Sequence, residues 1–357
     1  MSDHAPDIRR PEAIDAGWLT RALQMSGVDA VVSDFTAAPV GTGQIGDSVR
    51  FRLRYARGGD TAPASVVGKF PSADPISFNT GVMLGNYTRE VMFYRHLAGS
   101  ALIRTPHCLF ADVEPASGEF VLLMEDLAPA QQGDQLRGVS LDQAMAVIDE
   151  AALLHASHWE DEALDDLPWV SGSQAAPPSA ATPEMVQALW SAFRDRYQEH
   201  LHADWIDIGE RLSSRFAALG ELHRGPRCLT HNDFRPDNMM FGAAGVTTLD
   251  WQSFAYDSGA QDVAYFLAGG VSPELRHKHE AQFLDRYLLG LHSHGVSNYS
   301  RDDLARDYAH GAFLLFLTAF FAAMVVKQTP RGDAMFIQML GGASRHILDH
   351  DALSLLS

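Results

Sequence analysis

The chain has 357 residues, 46% of them hydrophobic and 20% charged, an ordinary globular composition with length for one large domain or two lobes. Its formal net charge of −18 argues against nucleic-acid binding, which needs a basic face, and suits neutral or cationic small substrates. Cys108 and Cys228 provide no disulfide framework, and the opening MSDHAPDIRRPEA lacks the apolar stretch of a signal peptide, so a cytoplasmic location is expected.

A short helix is expected over residues 13–25. DSVRFRLRYAR then alternates Val49, Phe51, Leu53 and Tyr55 with Arg50, Arg52 and Arg54, the period of a strand with one wet face. GTGQIG precedes it, and a Gly-Gly-Asp turn leads to a second strand, ASVVGKF, with Lys69 near its end. In GNYTREVMFYRHLA, Glu90, Phe93, Tyr94 and Leu97 fall at i, i+3, i+4 and i+7 and so share a helix face. A carboxylate on an apolar face requires a partner, and Arg89 and Arg95 are near in sequence. CLFADVE and EFVLLMED, joined by a Pro-Ala-Ser-Gly turn, complete a mainly antiparallel sheet with one helix.

Beyond about Leu127 the pattern becomes helical. Ser140 with Gln143 reads as a capping box, and Thr182-Pro183 and Ser272-Pro273 each place a cap before a proline at the first helical position. The Pro/Ser/Ala-rich residues 171–183 read as a loop suited to an insertion near a substrate site. Trp190, Phe193, Tyr197 and Trp205 are expected in core packing, with the wall of an acceptor pocket as the alternative. Residues 311–326 (GAFLLFLTAFFAAMVV) are too few to span a bilayer and are expected as a buried helix, with no membrane partner. His155 with His158, and His346 with His350, have helix-compatible metal spacing, yet the sequence shows no third ligand for either pair.

The segment LTHNDFRPDNMMFGAAGVTTLDWQ gathers His231, Asp233, Asp237, Asn238 and Asp250 between strand-like runs. Folding alone gives no reason for so many ionisable groups there. Read as a hairpin turning at Ala244, it sets Asn238 opposite Asp250 at its open end, with Cα atoms roughly 4.5 to 5.5 Å apart. A carboxylate and an amide oxygen at one point suit Mg²⁺. Asp233 stands five residues before Asn238, and D-x-x-x-x-N followed by a metal-binding aspartate is the arrangement of the protein-kinase phosphotransfer site. His231 is expected to brace the loop, and Asp237 to act as a turn carboxylate.

HNDFRPDN and LDWQ resemble the catalytic and metal loops of the aminoglycoside phosphotransferase and choline kinase superfamily, particularly its ecdysteroid-kinase-like branch. VLLMEDL resembles its hinge, LLHASHW the helix before the catalytic segment, and DVAYFL the helix after the metal loop. The resemblance implies a two-lobed α+β, protein-kinase-like fold. It would have an N-lobe over residues 1–126 with a mainly antiparallel sheet, and a larger helical C-lobe over residues 127–357. ATP and Mg²⁺ would lie in the cleft, with GTP left open as the nucleotide.

On the same ground Asp233 would be the catalytic base, and Asn238 and Asp250 would hold metal. Lys69 would reach the α/β-phosphates and Glu90 would orient it. Gly41, Gly43, Gly46 and Ser48 would lie over the phosphates, and Met124, Glu125 and Leu127 would hold adenine through backbone groups. Asp262 would anchor the catalytic loop. Gln252 stands where many relatives carry a glutamate, which argues against a second carboxylate at the metals. The implied reaction is phosphoryl transfer from ATP to a hydroxyl of an aminoglycoside-like, amino-alcohol or lipid-like to steroid-like small molecule. The alternatives are a catalytically silent nucleotide-binding module on the same fold and, disfavoured by the missing docking elements after Asp250, a protein kinase. The oligomeric state is open.

Overall fold

The computed structural model describes residues 7–41, 45–175, 181–219, 222 and 225–356. They divide into two compact units. The first gathers the described residues up to Gly99 with Thr105–Ala130 and Leu249–Gln252; the second gathers Ser100–Arg104, Gln131–Thr248 and the described residues from Ser253 on.

The first unit opens with α1 (Ala16–Met25), whose N-terminus is capped by Asp15 accepting the Trp18 N–H at 2.7 Å. Then come β1 (Val31–Val40), β2 (Gly46–Arg57), β3 (Ser65–Pro71), α2 (Pro75–Met83), α3 (Asn86–His96), β4 (Cys108–Glu114) and β5 (Glu119–Glu125). The five strands form one antiparallel sheet in the order β1-β2-β3-β5-β4. Trp18, Leu19, Phe51, Phe70, Val121 and Leu123 are buried together between α1 and one face of this sheet. The alternation of β2 is realised, with Phe51 and Leu53 buried and Arg52 and Arg54 exposed. β1 and α2 join the elements expected from sequence, so the unit has three helices among the described residues, against the two expected.

The second unit contains β6 (Gln131–Gln132), α4 (Leu141–Ser157), α5 (Pro183–Tyr197), α6 (Ala203–Ser214), α7 (Phe216–Leu219), β7 (Arg227–Thr230), β8 (Met239–Gly242), β9 (Gly245–Thr248) and β10 (Ala255–Ser258). It continues with α8 (Ala260–Gly270), α9 (Pro273–Ser293), α10 (Arg301–Val325) and α11 (Pro330–Asp349). Ser140, Thr182 and Ser272 cap α4, α5 and α9 as their sequence contexts imply. Of the loop over residues 171–183, residues 176–180 lie outside those described.

α8 is buried along its whole length, against α10 and α11. α10 is long and apolar enough to cross a membrane, yet 56% of its apolar window is buried. Leu315, Phe316, Ala319 and Phe320 pack there with Trp190 and Phe193 of α5. The aromatic set therefore divides: Trp190 and Phe193 are core residues, whereas Tyr197 and Trp205 also border a cavity of about 1410 Å³ within this unit.

α5 and α6 approach closely at Gly209, where a Cβ would fall 2.0 Å from the Trp190 ring. Trp190 is 1% exposed and packed against Phe193, Phe316 and Phe320, so moving its ring would disturb close-packed neighbours. Gly209→Ala is therefore expected to destabilise the protein by about 1–3 kcal/mol, read as a lower urea midpoint at unchanged slope; a midpoint at or above wild type would show that the ring can move.

Candidate active site

In the first unit the sheet places a lysine in its interior. β3 lies between β2 and β5, so Lys69 pairs with Ser48 on one side and Leu122 on the other, and its residue is only 9% exposed. Its Nζ lies 2.8 Å from Glu90 Oε1, 2.7 Å from Glu90 Oε2 and 2.9 Å from Asp250 Oδ1. Glu90 is 1% exposed on the inward face of α3, beside Phe93 and Tyr94. This contact answers why a carboxylate occupies an apolar helix face. The two arginines near it in sequence turn elsewhere: Arg89 to the Gln252 and Leu84 carbonyls, Arg95 to Ala111 and Asp112.

Burial alone would lower the Lys69 ammonium, but Asp250 and Glu90 outweigh it and hold its pKa above the ordinary value. Burial pushes the Glu90 carboxyl upward, against the pull of Lys69. Removing either member of such a pair strands a buried charge, which is the costly case.

Asp250 sits in the left-handed region at φ 63°, an uncommon conformation for a residue with a side chain. The neighbours that follow it are fixed on α3. Trp251 stacks on Phe93 with centroids 3.9 Å apart, and Arg89 Nη1 donates to the Gln252 carbonyl at 2.8 Å. Those anchors aim Asp250 at Lys69 and leave its Oδ2 without a donor among the described residues.

Of the glycine-loop residues, Gly43 lies outside those described, and Gly41 has φ +75°. A Cβ on Gly46 would stand 3.3 Å from Lys69 Cε and 3.1 Å from the Phe70 carbonyl, so only glycine leaves the lysine stem unhindered. Tyr87 on α3 donates to the Ile45 carbonyl at 2.6 Å and fixes the start of β2. At the far end of β5, Met124 is buried and Glu125 exposed. The Glu125 N–H is spent on the His107 carbonyl, whereas the Leu127 N–H has no acceptor among the described residues.

In the second unit, Asp262 at the start of α8 accepts the His231 N–H at 2.6 Å on Oδ2 and the Asn232 N–H at 2.8 Å on Oδ1. These are the anchoring bonds that the family resemblance implies. Asp262 is fully buried, and His155 meets it at 3.3 Å while holding the Tyr287 hydroxyl at 2.8 Å. His231 braces the loop: its Nδ1 accepts the Asp233 N–H at 3.2 Å.

Asp233 is held on both oxygens. Oδ1 accepts Arg235 Nε and the Tyr265 hydroxyl, each at 2.9 Å, and Oδ2 accepts Asn238 Nδ2 at 2.8 Å. Burial alone would raise this carboxyl, but Arg235, with His231, Tyr265 and Asn238, keeps its pKa below the ordinary value. Asn238 Nδ2 also donates to the Asp233 carbonyl at 2.8 Å, which leaves its Oδ1 without a donor among the described residues. Asp237 takes Arg235, Arg331 and the Gln135 N–H, consistent with a turn carboxylate that stiffens the loop.

Arg235 and Tyr265 were not singled out by sequence reasoning. Arg235 is two residues beyond Asp233, and Tyr265 one helical turn beyond Asp262 on the same face of α8, so the spacing signal existed. One expectation needs correction. The hairpin turns on Ala243-Ala244, pairing Gly242 with Gly245 and Met239 with Thr248, so its register is one residue off the one that set Asn238 opposite Asp250. The ladder ends before either residue. None of these loop residues borders the 1410 Å³ cavity, whose walls carry Tyr197, Trp205, Asp333, Ile337 and Arg345.

The fold is that of the kinase-like small-molecule phosphotransferases. An ethanolamine kinase of Plasmodium vivax superposes with a TM-score of 0.51 at 11% identity, covering 86% of this chain and 81% of that one. The aminoglycoside phosphotransferase APH(4)-Ia, as a thermostable mutant bound to ADP and hygromycin B, gives 0.51 at 16% identity over 94% and 98%. A second aminoglycoside phosphotransferase, bound to GDP and kanamycin, gives 0.52 at 14% identity over 95% and 99%. Comparison with the curated proteins finds no match. Residues 49–296 match the ecdysteroid kinase-like family, and the chain belongs to that family.

Asn232, whose own N–H is the second amide anchored on Asp262, has φ 61°, and its Oδ1 is buried without a partner. Asn232→Gly is expected within about 0.5 kcal/mol of wild type, whereas the β-branched Asn232→Val should cost about 1–2 kcal/mol. Urea denaturation distinguishes the two, and equal stabilities would show that the turn does not depend on this conformation.

Proposed function

We propose that this protein is an ATP-dependent O-phosphotransferase that moves the γ-phosphoryl group to a hydroxyl of a small molecule. The observation that carries the reading is Lys69, buried between Glu90 and Asp250, in a chain that also hangs a D-x-x-x-x-N loop by its backbone on Asp262. Membership of the ecdysteroid kinase-like family supports it.

The donor set suits Mg²⁺. Asp250 Oδ2 and Asn238 Oδ1 are a carboxylate and an amide oxygen, each without a donor among the described residues. With all three groups ionised, Lys69, Glu90 and Asp250 carry one excess negative charge, so a polyphosphate needs added cations to bind beside them. Bound Mg²⁺ supplies that charge and neutralises the transferring group.

Lys69 contacts the α/β-phosphates and Glu90 orients it. Gly41, Gly46 and Ser48 lie over the phosphates, where small residues let backbone N–H groups approach oxygen closely. Adenine bonds to the Leu127 N–H and the carbonyls near Met124 and Glu125. The acceptor oxygen forms its bond to the γ-phosphorus as the bond to the β,γ-bridging oxygen breaks, and the hydroxyl proton passes to Asp233. An aspartate held below its ordinary pKa is a weak base. Asp233 therefore orients the hydroxyl throughout and accepts the proton late, once the attacking oxygen has become acidic. The acceptor is an aminoglycoside-like, amino-alcohol or lipid-like to steroid-like alcohol, and a cytoplasmic location fits an enzyme that draws on ATP.

Thermal stabilisation by ATP or GTP, with and without Mg²⁺, tests the nucleotide site. A Mg²⁺-dependent rise of several degrees in wild type that Asp250→Ala loses is expected. No rise at millimolar nucleotide would overturn this reading and the silent nucleotide-binding alternative together, whereas a rise without transfer to any acceptor would favour the silent module. With an acceptor from the three alcohol classes, Asp233→Asn should keep that rise and lose about 10²–10⁴-fold in kcat; full turnover would remove Asp233 as base.

The pH profile gives a third expectation. Asp233 acts deprotonated, so lowering its pKa extends activity to acid pH, and Arg235→Met should move the acid limb of kcat/KM to higher pH. An unmoved limb would show that Arg235 does not set the charge of Asp233.

A further inference from the structure

We infer that Glu280, His346 and His350 form a zinc-type metal site that joins α9 to the end of α11, with one coordination position left open to water. The inference does not depend on the phosphotransferase reading, and none of the three residues contacts Asp233 or Asn238 among the described residues. The sequence offers His346 and His350 at helical spacing without a third ligand. The fold brings Glu280 from another helix, and one ligand atom from each of the three residues lies within 4.8 Å of the others.

His346 is fully buried, and its Nε2 meets the Tyr308 carbonyl at 2.9 Å. A carbonyl only accepts, so Nε2 carries the proton and Nδ1 carries the lone pair. That Nδ1 is buried with no hydrogen-bond partner. An unmet polar atom of this kind costs about 1–3 kcal/mol. A metal ion would use the lone pair, and a backbone carbonyl on the opposite nitrogen is the usual way a ligating imidazole is held in its tautomer.

Glu280 is prepared in the same sense. Its Oε1 accepts Arg276 Nη1 at 2.7 Å and the Tyr308 hydroxyl at 2.8 Å and lies 3.3 Å from His350 Nε2, while Oε2 has no donor among the described residues. Burial alone would raise this carboxyl, but His350, Tyr308 and Arg276 outweigh it and bring its pKa down to about 2. The charges of Arg276 and Arg345 balance those of Glu280 and Asp349 around the cluster. With its one carboxylate already compensated, the site has little for Mg²⁺ or Ca²⁺; two imidazoles and a carboxylate oxygen are a zinc donor set. Zinc at about 2.1 Å from each ligand needs donor atoms roughly 3.4 Å apart. Closing from 4.8 Å takes side-chain shifts on the order of 1 Å. Glu280 and His350, whose side chains are 22% and 24% exposed, have the freedom to make them.

The test uses the full chain, stripped of metal by chelator dialysis and titrated with Zn²⁺ by calorimetry and with Co²⁺ by absorption. One equivalent of each should bind, with the d–d bands of a low-symmetry Co²⁺ site. Glu280→Gln and His350→Gln should each weaken binding at least tenfold, and His294→Gln, on an exposed ring, should leave it unchanged. Should both site variants fail to fold, His350 in wild type is followed by diethyl pyrocarbonate labelling, from which Zn²⁺ should protect it. No saturable single equivalent, binding untouched in both folded site variants, or labelling of His350 at the same rate with and without Zn²⁺ would each overturn the site.

Discussion

The buried ammonium of Lys69 is the constraint from which the first unit's arrangement follows. A cation inside a sheet is tolerated only beside compensating charge, and here two carboxylates come from separate parts of the chain. Glu90 requires α3 to lie with that face against the sheet. Asp250 requires the Leu249–Gln252 segment to reach α3, where Trp251 stacks on Phe93 and Arg89 holds the Gln252 carbonyl. The left-handed backbone at Asp250 is sustained by those contacts, an instance of local strain kept where the surrounding packing over-determines it.

The second unit solves a different problem. Its loop must present polar side chains outward while its own amides remain satisfied, and Asp262 meets that need by taking the His231 and Asn232 N–H groups. Because Asp262 stands on α8, which is buried throughout, the loop inherits the rigidity of the core. His155 then holds Asp262 and is itself held by Tyr287, so polar groups that the apolar interior would otherwise penalise are bonded in series. The same helix delivers Tyr265 to Asp233, which makes α8 the element that fixes both the backbone and the carboxylate of this loop.

What was legible in the sequence was what local period encodes. Glu90 on an apolar face, the arginine alternation of β2, the caps at Ser140, Thr182 and Ser272, and the D-x-x-x-x-N spacing all show in a short window. The failures are tertiary or depend on a single residue of register. β1 was missed because its register shifts twice near Val32 and most of its residues stay exposed, which blurs the alternation. The hairpin pairing was one residue off because Ala243-Ala244 forms a two-residue turn, a choice the sequence GAAG does not reveal. Arg235 was not singled out although its partners Asp233 and Asp237 lie two residues to either side of it, and Glu280 has no local signal linking it to His346 and His350.

The electrostatics of the two loops differ in a way that bears on how each can act. With all three groups ionised the carboxylates around Lys69 exceed the cation, so that group attracts positive charge. Around Asp233 the charge is matched: the carboxylate faces Arg235 and accepts from Tyr265 and Asn238, so its negative charge is stabilised within the loop itself. A carboxylate stabilised to that degree gains little by taking a proton, so in the proposed transfer its contribution would be mainly geometric. The lost basicity is the consequence of holding the side chain fixed, since the donors that orient Asp233 are the same ones that lower its pKa.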